Sequence, residues 1–316
     1  MAEWPVWLPT APPSLAEYLS WNPQPIPLLP MVAVLSGALY LAGAVRLWRR
    51  GTRWSVVRTL SFLSGCAALA VVMGAGIEGY GFSMFSVFMF QQLTLMMAVP
   101  PLLVYGSPGT LLLRATPRTG LGRPVLAAAL GALRSRWARI ALHPVVAVPL
   151  FLVSFYGLYF SSAADVLLSS WVGHNALEVV FLLSGILFTV PIMSRDPLPV
   201  HQPQWGRLLD LFAEMPLHAF FGVIVMMSPQ PLVDWFRAPP QWGVDPLADQ
   251  GVAGGLAWSY GELPSLLIVL LLLVRWQRED TRRDRLADAR ADVVGTPDLD
   301  AYNDYLDMLG RRREQR

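Results

Sequence analysis

Apolar runs long enough to cross a bilayer recur along the whole chain, separated by short polar stretches. Because about 20 consecutive apolar residues span the hydrocarbon core, each run predicts one transmembrane helix. Seven spans are predicted, at about 28–47, 57–78, 83–105, 143–162, 171–193, 209–228 and 252–274. The pattern therefore predicts an all-α polytopic membrane protein, a seven-transmembrane-helix bundle over residues 28–276. An N-terminal segment (1–27) precedes the bundle, a loop (106–142) interrupts it and a charged tail (277–316) follows it.

Composition agrees with a membrane protein and excludes several kinds of functional site. Of 316 residues, 54% are hydrophobic and 15% are charged, whereas a soluble domain carries about 25% charged residues. The chain has no lysine and one cysteine, Cys66, which excludes lysine chemistry, an internal disulfide and a Cys-x-x-Cys site. No basic stretch precedes an apolar core at the start, so no secretory signal is predicted. No phosphate loop, Ser-His-Asp set or HExxH motif is present, so no enzyme is predicted.

The arginines predict the orientation in the membrane. They cluster in 46–58, in 106–142 and from Arg275 onward, and all but Arg237 fall on the same side of the seven spans. The positive-inside rule then places the N-terminus outside and both the loop 106–142 and the tail in the cytoplasm. Within the loop, RPVLAAALGALRSRWARIAL (123–142) predicts an amphipathic helix at the interface. Arginine beside a membrane usually sets topology, so the bilayer is an expected partner and nucleic acid is not.

Polar residues inside apolar spans are costly, and each suggests function. Several would reach the outer half of the bilayer and line one outward-facing pocket: Glu78, Gln91, Gln92, His174, Glu178, Asp249 and Gln250. His174 and Glu178 are four residues apart and share a helical face. The alternative is that these groups form interhelical hydrogen bonds that only hold the bundle together.

A second polar group is predicted deeper in the membrane. Glu214 and His218 are four residues apart in the sixth span, and Trp258 and Glu262 lie in the seventh. Glu262 and His218 would reach similar depths and pair. The candidate metal ligands are His174, Glu178 and His218, while His143 is expected at a helix start.

Seven short stretches resemble, in order, a known family. They are RRGTRW (49–54), IEGYGFSMFSVFMFQQ (77–92), MAVPPLLVYGSP (97–108), ALHP (141–144), HNALEVVFLLSGILFTVPIMSRDPLP (174–199), MPLHAFFG (215–222) and DQGVAGGLAW (249–258). Over roughly residues 20–275, the chain resembles the bacterial CtaG family of assembly factors for caa-type cytochrome c oxidase.

The chain departs from the family pattern at residues that bear on metal binding. The third span of the family resembles S-x-H-M-x-Q-H, and its two histidine positions are Phe88 and Gln92 here, with Gln91 retained. The family has a second histidine in the fifth span, and this chain has Glu178 at that position. At the acidic position before the third span, this chain has Glu78. His218, Asp249, Gln250 and Trp258 match, and Glu262 supplies the acidic residue of the seventh span. The copper that the resemblance implies therefore loses ligands, which leaves Glu78, His174 and Glu178 for a harder ion or a proton. The alternatives are a vestigial pocket or a pocket that docks a partner helix.

The resemblance implies a non-enzymatic assembly factor for a haem-copper cytochrome c oxidase in the bacterial plasma membrane. Oxidase subunits would be its partners, and it would assist copper insertion at the outer face. The alternative is a proton- or metal-coupled transporter that uses the buried glutamates and histidines. Ion uptake that is abolished by Glu262→Gln would favour the transporter, and bound copper without flux would favour the assembly factor. A haem between His174 and His218 ranks last, because their predicted depths differ.

Overall fold

The regular structure is helical throughout the described chain. A computed structural model describes residues 6–120, 122–199, 202–294 and 297–314. The helices are α1 (Leu15–Leu19), α2 (Leu28–Arg49), α3 (Val56–Val72), α4 (Ile77–Gly81), α5 (Phe85–Leu93), α6 (Val99–Tyr105), α7 (Pro108–Ala115), α8 (Gly122–Arg134), α9 (Arg136–Ala141), α10 (Pro144–Val153), α11 (Tyr156–Tyr159), α12 (Ala163–Leu168), α13 (Trp171–Met193), α14 (Gln204–Met227), α15 (Pro246–Ser259), α16 (Glu262–Val294) and α17 (Pro297–Glu314). A π-helical turn (Thr94–Ala98) joins α5 to α6, and a 3-10 turn (Pro240–Trp242) precedes α15.

Apolar helices coincide with every predicted span. Within the described residues, five runs are long and apolar enough to cross a membrane: Leu28–Arg49, Phe85–Ala115, Trp171–Met193, Gln204–Met227 and Pro246–Leu286. Two shorter apolar helices, Val56–Val72 and Pro144–Tyr159, lie where the second and fourth spans are predicted. The all-α class and the multi-pass membrane character are confirmed. Seven crossings and their orientation stay predictions.

The chain divides into two units, Met1–Val269 and Leu270–Arg316. The second unit contains α17 and the later part of α16, and residues 276–286, 288–289 and 301–313 of it are exposed. The described residues of the charged tail lie in the long α16 and in α17, an 18-residue helix.

The run from α5 to α7 is the most enclosed of the apolar runs. In its most apolar stretch 72% of residues are buried, against 61% or less in the other four. The π-helical turn within it is packed closely by α13, because a side chain at Gly185 would collide with the carbonyl oxygen of Met96. The core of the first unit therefore forms around α5 and this turn, and α5 carries both predicted glutamines.

The described residues of the loop 106–142 form three helices. Asp196 caps α7 by accepting hydrogen bonds from the backbone N–H groups of Gly109 (2.9 Å) and Thr110 (2.7 Å). The single amphipathic helix predicted over 123–142 is two helices, because Ser135 ends α8 and caps α9 through the Ala138 N–H (3.0 Å). Apolar side chains on both helices are exposed, among them Val125, Leu130, Trp137 and Ile140.

The N-terminal segment packs against α4, which the sequence pattern did not predict. The Tyr80 hydroxyl donates to the Ala11 carbonyl (3.0 Å), and the Trp242 indole donates to that of Thr10 (3.4 Å). Burial raises the pKa of the Tyr80 phenol, so the hydroxyl remains a donor. The ring of Trp7 lies so close to Gly79 that an added Cβ there would be 2.6 Å from it. This packing brings residues 6–27 next to the buried polar residues around Glu78.

Candidate functional site

One cluster of buried ionisable residues forms where α4, α5 and α13 meet. We call Glu78, Gln91, His174 and Glu178 the outer cluster. Glu78, His174 and Glu178 each offer one ligand atom, and these atoms all lie within 4.8 Å of one another. All four residues are buried. Among the described residues this is the only such set of three possible metal ligands.

The first turns of α13 position the histidine and one glutamate. Ser170 caps this helix by accepting from the Gly173 N–H (3.0 Å). One turn on, His174 Nε2 lies 3.1 Å from Glu178 Oε1. The His174 ring stacks on Phe82, with centroids 3.9 Å apart and planes at 13°. That stacking holds the imidazole in one orientation, with its ring edge towards the carboxylates.

Some polar atoms of the outer cluster are satisfied by hydrogen bonds and three are not. The Gln91 amide donates to Glu78 Oε2. Both imidazole nitrogens of His174 and Glu178 Oε1 are buried and have no hydrogen-bond partner among the described residues, so their 3.1 Å contact is not aligned as a hydrogen bond. Burying such groups unpaired costs free energy, and a bound cation or proton removes that cost. The arrangement is therefore suited to hold a positive charge.

A narrow cleft leads to this cluster. Glu78 and Glu178 line it together with Gln24 of the N-terminal segment, Met73 after α3 and Asn175 of α13. The cleft therefore places both carboxylates beside the N-terminal segment.

The ligand atoms of the outer cluster determine which metal ions it can bind. One imidazole and two carboxylates form a nitrogen and oxygen set, which suits divalent ions such as Zn²⁺, Mn²⁺ or Cu²⁺. Cu⁺ prefers thiolate and thioether ligands. Phe88, at one of the histidine positions of the resembled family, packs its ring 5.3 Å from that of His174 and adds no ligand. The residues present therefore fit a divalent ion better than Cu⁺.

A second buried cluster forms between α14 and the start of α16. We call Glu214, His218, Glu262 and Ser265 the inner cluster. His218 Nδ1 lies 3.7 Å from Glu262 Oε1, so the pair expected from the sequence is present. The Ser265 hydroxyl donates to Glu214 Oε2 (3.1 Å). Glu214 and His218 are fully buried, and Glu262 is partly exposed.

The three candidate metal ligands His174, Glu178 and His218 do not form one set. His218 belongs to the inner cluster, and Glu78 takes the third place beside His174 and Glu178. The cause is that α4 folds back against α5, so that Glu78 reaches a partner on α13. Ser265 was missed, since a serine one turn after a glutamate carries no sequence signal.

Gln92 faces away from the outer cluster. Its amide nitrogen donates to the Ser154 carbonyl (3.0 Å) and contacts Met96 Sδ (3.6 Å). Its amide oxygen accepts from the Tyr159 hydroxyl. The residue therefore joins α5 to α10 and α11 and does not line the predicted outer pocket.

Asp249 and Gln250 form hydrogen bonds with backbone groups of other segments. Asp249 accepts from the N–H groups of Phe85 (2.6 Å) and Ser86 (3.3 Å) and so caps α5 from α15. Gln250 accepts from the Leu232 N–H (2.7 Å) and donates to the carbonyls of Val225 and Gln230. These contacts agree with the alternative interpretation, in which buried polar residues form hydrogen bonds that hold the bundle together.

Trp258, which is predicted to line a pocket, is 53% exposed. The backbone of this residue packs against α14, where an added Cβ at Gly222 would lie 2.6 Å from the Trp258 nitrogen. The indole consequently lies on the outer surface of the helix. His143 does cap a helix as expected, since its Nδ1 accepts from the Val145 N–H (3.3 Å) at the start of α10.

Comparison with known proteins gives one family. The model of the cytochrome c oxidase caa3 assembly factor family (Caa3_CtaG) matches residues 38–279. An uncharacterized protein of Mycobacterium bovis and one of Mycobacterium tuberculosis are each 40% identical over 308 residues, which is 96% of this chain and 46% of the relative. One of Mycobacterium leprae is 37% identical over 297 residues, 90% of this chain and 44% of the relative. The chain thus spans about half the length of the curated relatives it matches. No solved structure matches.

Proposed function

Because the chain belongs to the cytochrome c oxidase caa3 assembly factor family, we propose that it serves oxidase assembly by holding a divalent cation at the outer cluster. The proposed cation is cargo for a haem-copper oxidase, and Cu²⁺ is the candidate because nitrogen and oxygen ligands bind it more tightly than other divalent first-row ions. The protein acts in the bacterial plasma membrane, and oxidase subunits are its clients. No catalytic step is assigned to it.

The buried, unpartnered ligand atoms of the outer cluster carry this proposal. Two carboxylates and an imidazole lie within 4.8 Å of one another, and three of their atoms have no hydrogen-bond partner among the described residues. A role limited to holding helices together would be served by satisfied hydrogen bonds, as at Gln250. An unsatisfied set beside a cleft is better explained by an exchangeable ion.

The arginine distribution supports the outer membrane face as the place of action. Glu78 and His174 lie at the ends of apolar helices that are opposite the arginine-rich loop and tail in the predicted topology. An ion held there would be available to oxidase domains on the same side of the membrane.

The test is complementation of a strain that lacks the gene. Glu178→Gln and His174→Gln remove a charge or a ligand with little change in size, and Ser184→Ala is the matched control because Ser184 is buried on the same helix. We expect all three proteins to reach wild-type levels in membranes. Cytochrome c oxidase activity and the amount of assembled oxidase should fall at least tenfold for the two cluster variants alone.

Two outcomes would contradict the proposal separately. If deletion of the gene leaves the oxidase unchanged, the assembly role is wrong. If the deletion abolishes the oxidase but Glu178→Gln and His174→Gln restore it fully, the assembly role stands and the cation role of the outer cluster is wrong.

A further inference from the structure

An apolar groove between α2, α7 and α8 opens beside three arginines. Its volume is about 580 Å³, which is typical of a small-molecule site. A second cavity of about 440 Å³ shares Ala42 and Arg46 with the groove and is also lined by Arg49 and Arg50. We propose that the groove and this arginine cavity together bind one anionic phospholipid. An acyl chain occupies the groove, and the phosphate lies at the arginines.

The groove forms because α2 presents small residues to α7. Ala42 and Gly43 follow one another on α2, and both line the groove. An added Cβ at Gly43 would lie 3.4 Å from side-chain atoms of Leu111 and Ala115, so α2 and α7 already pack closely at that point. A bulkier residue than Ala42 beside this contact would fill the groove, and the small side chain leaves it open.

Contacts among the wall residues hold the groove in shape. The Tyr40 ring stacks on that of Phe62 from α3, with centroids 4.1 Å apart and planes at 11°. The Tyr40 hydroxyl donates to the Gly106 carbonyl (2.7 Å), which fixes the start of the loop that leads to α7. Both rings line the groove. The site is therefore preformed, which lowers the cost of ordering it around a ligand.

Most of the groove is lined by hydrocarbon side chains that nothing in the described chain covers. Leu39 on α2, Leu112 on α7 and Val125 on α8 all line it, and they are 65%, 41% and 47% exposed. In a membrane protein such side chains contact lipid chains instead of water. Because three helices surround this space, a chain that enters it is held at a defined position, unlike one on an open helix face.

The arginines beside the groove have no acidic partner. The sequences of α2, α3, α7 and α8 contain arginine but no aspartate or glutamate. Within the described chain no ion pair joins Arg46, Arg49 or Arg50 to a carboxylate. Asp196, on a neighbouring segment, is engaged by the N–H groups that it caps at the start of α7. A phosphate, which arginine binds in a bidentate manner, supplies the missing negative charge.

The groove lies at the opposite end of α2 from the outer cluster. Leu28 and Leu29 line the cleft beside Glu78, and Arg46 is about 25 Å farther along the helix axis. In the predicted topology this end faces the cytoplasm, where the leaflet carries anionic lipids and basic pockets between helices bind their headgroups. The lipid site is therefore separate from the proposed cation site and does not depend on it.

An anionic phospholipid accounts for both halves of the site. A free phosphate would pair with the arginines but would leave the apolar groove without a ligand. Bulk lipid would fill the groove but would not neutralise arginines that lack a carboxylate partner. Only a ligand that is apolar along its length and anionic at one end matches both cavities.

The test titrates lipids onto the full-length protein in detergent. Native mass spectrometry gives the affinity for dioleoyl phosphatidylglycerol and for dioleoyl phosphatidylcholine, which has the same chains and no net charge. We expect the phosphatidylglycerol to bind about tenfold more tightly or better. Arg46→Gln should remove most of this difference. Arg134→Gln is the matched control, because it removes an exposed arginine of α8 that lines neither cavity, and it should keep the difference.

A second pair of variants tests the groove itself. Ala42→Leu adds bulk where the groove and the arginine cavity meet, and Ala67→Leu adds the same side chain to α3 outside both. Both alanines are exposed, so both variants should melt within a few degrees of the wild type. Ala42→Leu should weaken phosphatidylglycerol binding about tenfold through overpacking of the groove, and Ala67→Leu should leave it unchanged.

Three results would overturn the proposal. Equal affinity of the wild type for the two lipids would mean that only bulk lipid fills the groove. A preference that survives Arg46→Gln, or equal effects of Ala42→Leu and Ala67→Leu, would place the lipid elsewhere. Displacement of phosphatidylglycerol by inorganic phosphate at equal concentration would identify a site for a free anion. None of these results would change the oxidase phenotype on which the outer cluster is judged.

Discussion

Two adjacent glutamines on α5 form hydrogen bonds with residues on different sides of the helix. Gln91 donates to Glu78 in the outer cluster, while Gln92 bonds Ser154 and Tyr159 on the other side of the helix. Successive residues of an α-helix point about 100° apart, so only one of the two can face α4. Gln91 therefore supports the proposed ion site, and Gln92 stabilises the bundle.

Substitution of each glutamine by leucine separates these roles. Gln91→Leu removes the donor to a buried carboxylate and should lower the free energy of unfolding by about 1–3 kcal/mol. It should also weaken Zn²⁺ binding at the outer cluster roughly 10–100-fold, because an outer-shell partner is lost. Gln92→Leu should lower stability by a similar amount and leave Zn²⁺ affinity unchanged. Thermal unfolding and zinc titration of both variants provide the comparison, and equal affinities would contradict it.

Asp249 and Asp245 allow a matched test of helix capping. Asp249 is buried and caps α5 from another helix, whereas Asp245 is exposed and caps its own helix, α15, through the Ala248 N–H (2.8 Å). Loss of a cap costs about 0.5–2 kcal/mol. We expect Asp249→Ala to exceed this range, since it also leaves buried N–H groups unpaired, and Asp245→Ala to fall within it. The two melting temperatures measured in the same detergent decide the order, and equal shifts would refute it.

At the scale of elements, the contact between α14 and α15 depends on glycine. Side chains at Gly222 and Gly254 would meet the backbone of the opposite helix. Small residues of this kind let membrane helices approach closely, where packing and not hydrophobicity drives association. The same approach brings the start of α16 to His218 and so assembles the inner cluster.

Gly254→Ala and Gly255→Ala test this contact with one methyl group each. Gly254 faces the backbone of Met226, whereas an added Cβ at Gly255 would meet nothing within 4 Å. We expect Gly254→Ala to lower stability by about 1–3 kcal/mol through overpacking. Gly255→Ala should be neutral or stabilising by up to about 1 kcal/mol, because alanine favours helix. Thermal unfolding distinguishes them, and tolerance of Gly254→Ala would show that the helices are free to separate.

For the whole molecule, the orientation predicted from arginine can be tested by labelling. In a Cys66→Ala background, single cysteines are placed at Ser161, between α11 and α12, and at Thr281 in the tail; both positions are exposed. A membrane-impermeant maleimide added to spheroplasts should label Ser161→Cys, and Thr281→Cys should react only after the membrane is permeabilised. The reverse pattern would invert the topology, and labelling of both in spheroplasts would mean that the number of crossings between them is even.

The sequence by itself determined the class, the apolar spans and the family. Apolar runs of bilayer length must satisfy their backbone groups internally, so they form helices whatever their neighbours are. The i,i+4 spacing alone placed His174 beside Glu178 and Glu214 beside His218 on common faces. Seven ordered stretches carried the family resemblance, because they are read along the chain and need no knowledge of packing.

Only the tertiary structure decided which polar residues share a cluster. The apolar helices have little polar periodicity, so the direction in which Gln92 or Asp249 points is not encoded locally. The π-helical turn at Thr94–Ala98 and the fold of α4 against α5 set those directions. They place Glu78 with His174 and Glu178, and they assign Asp249 to a helix cap. The physical reason is that the rotation of a membrane helix about its axis is fixed by packing against its neighbours, which the order of residues does not reveal.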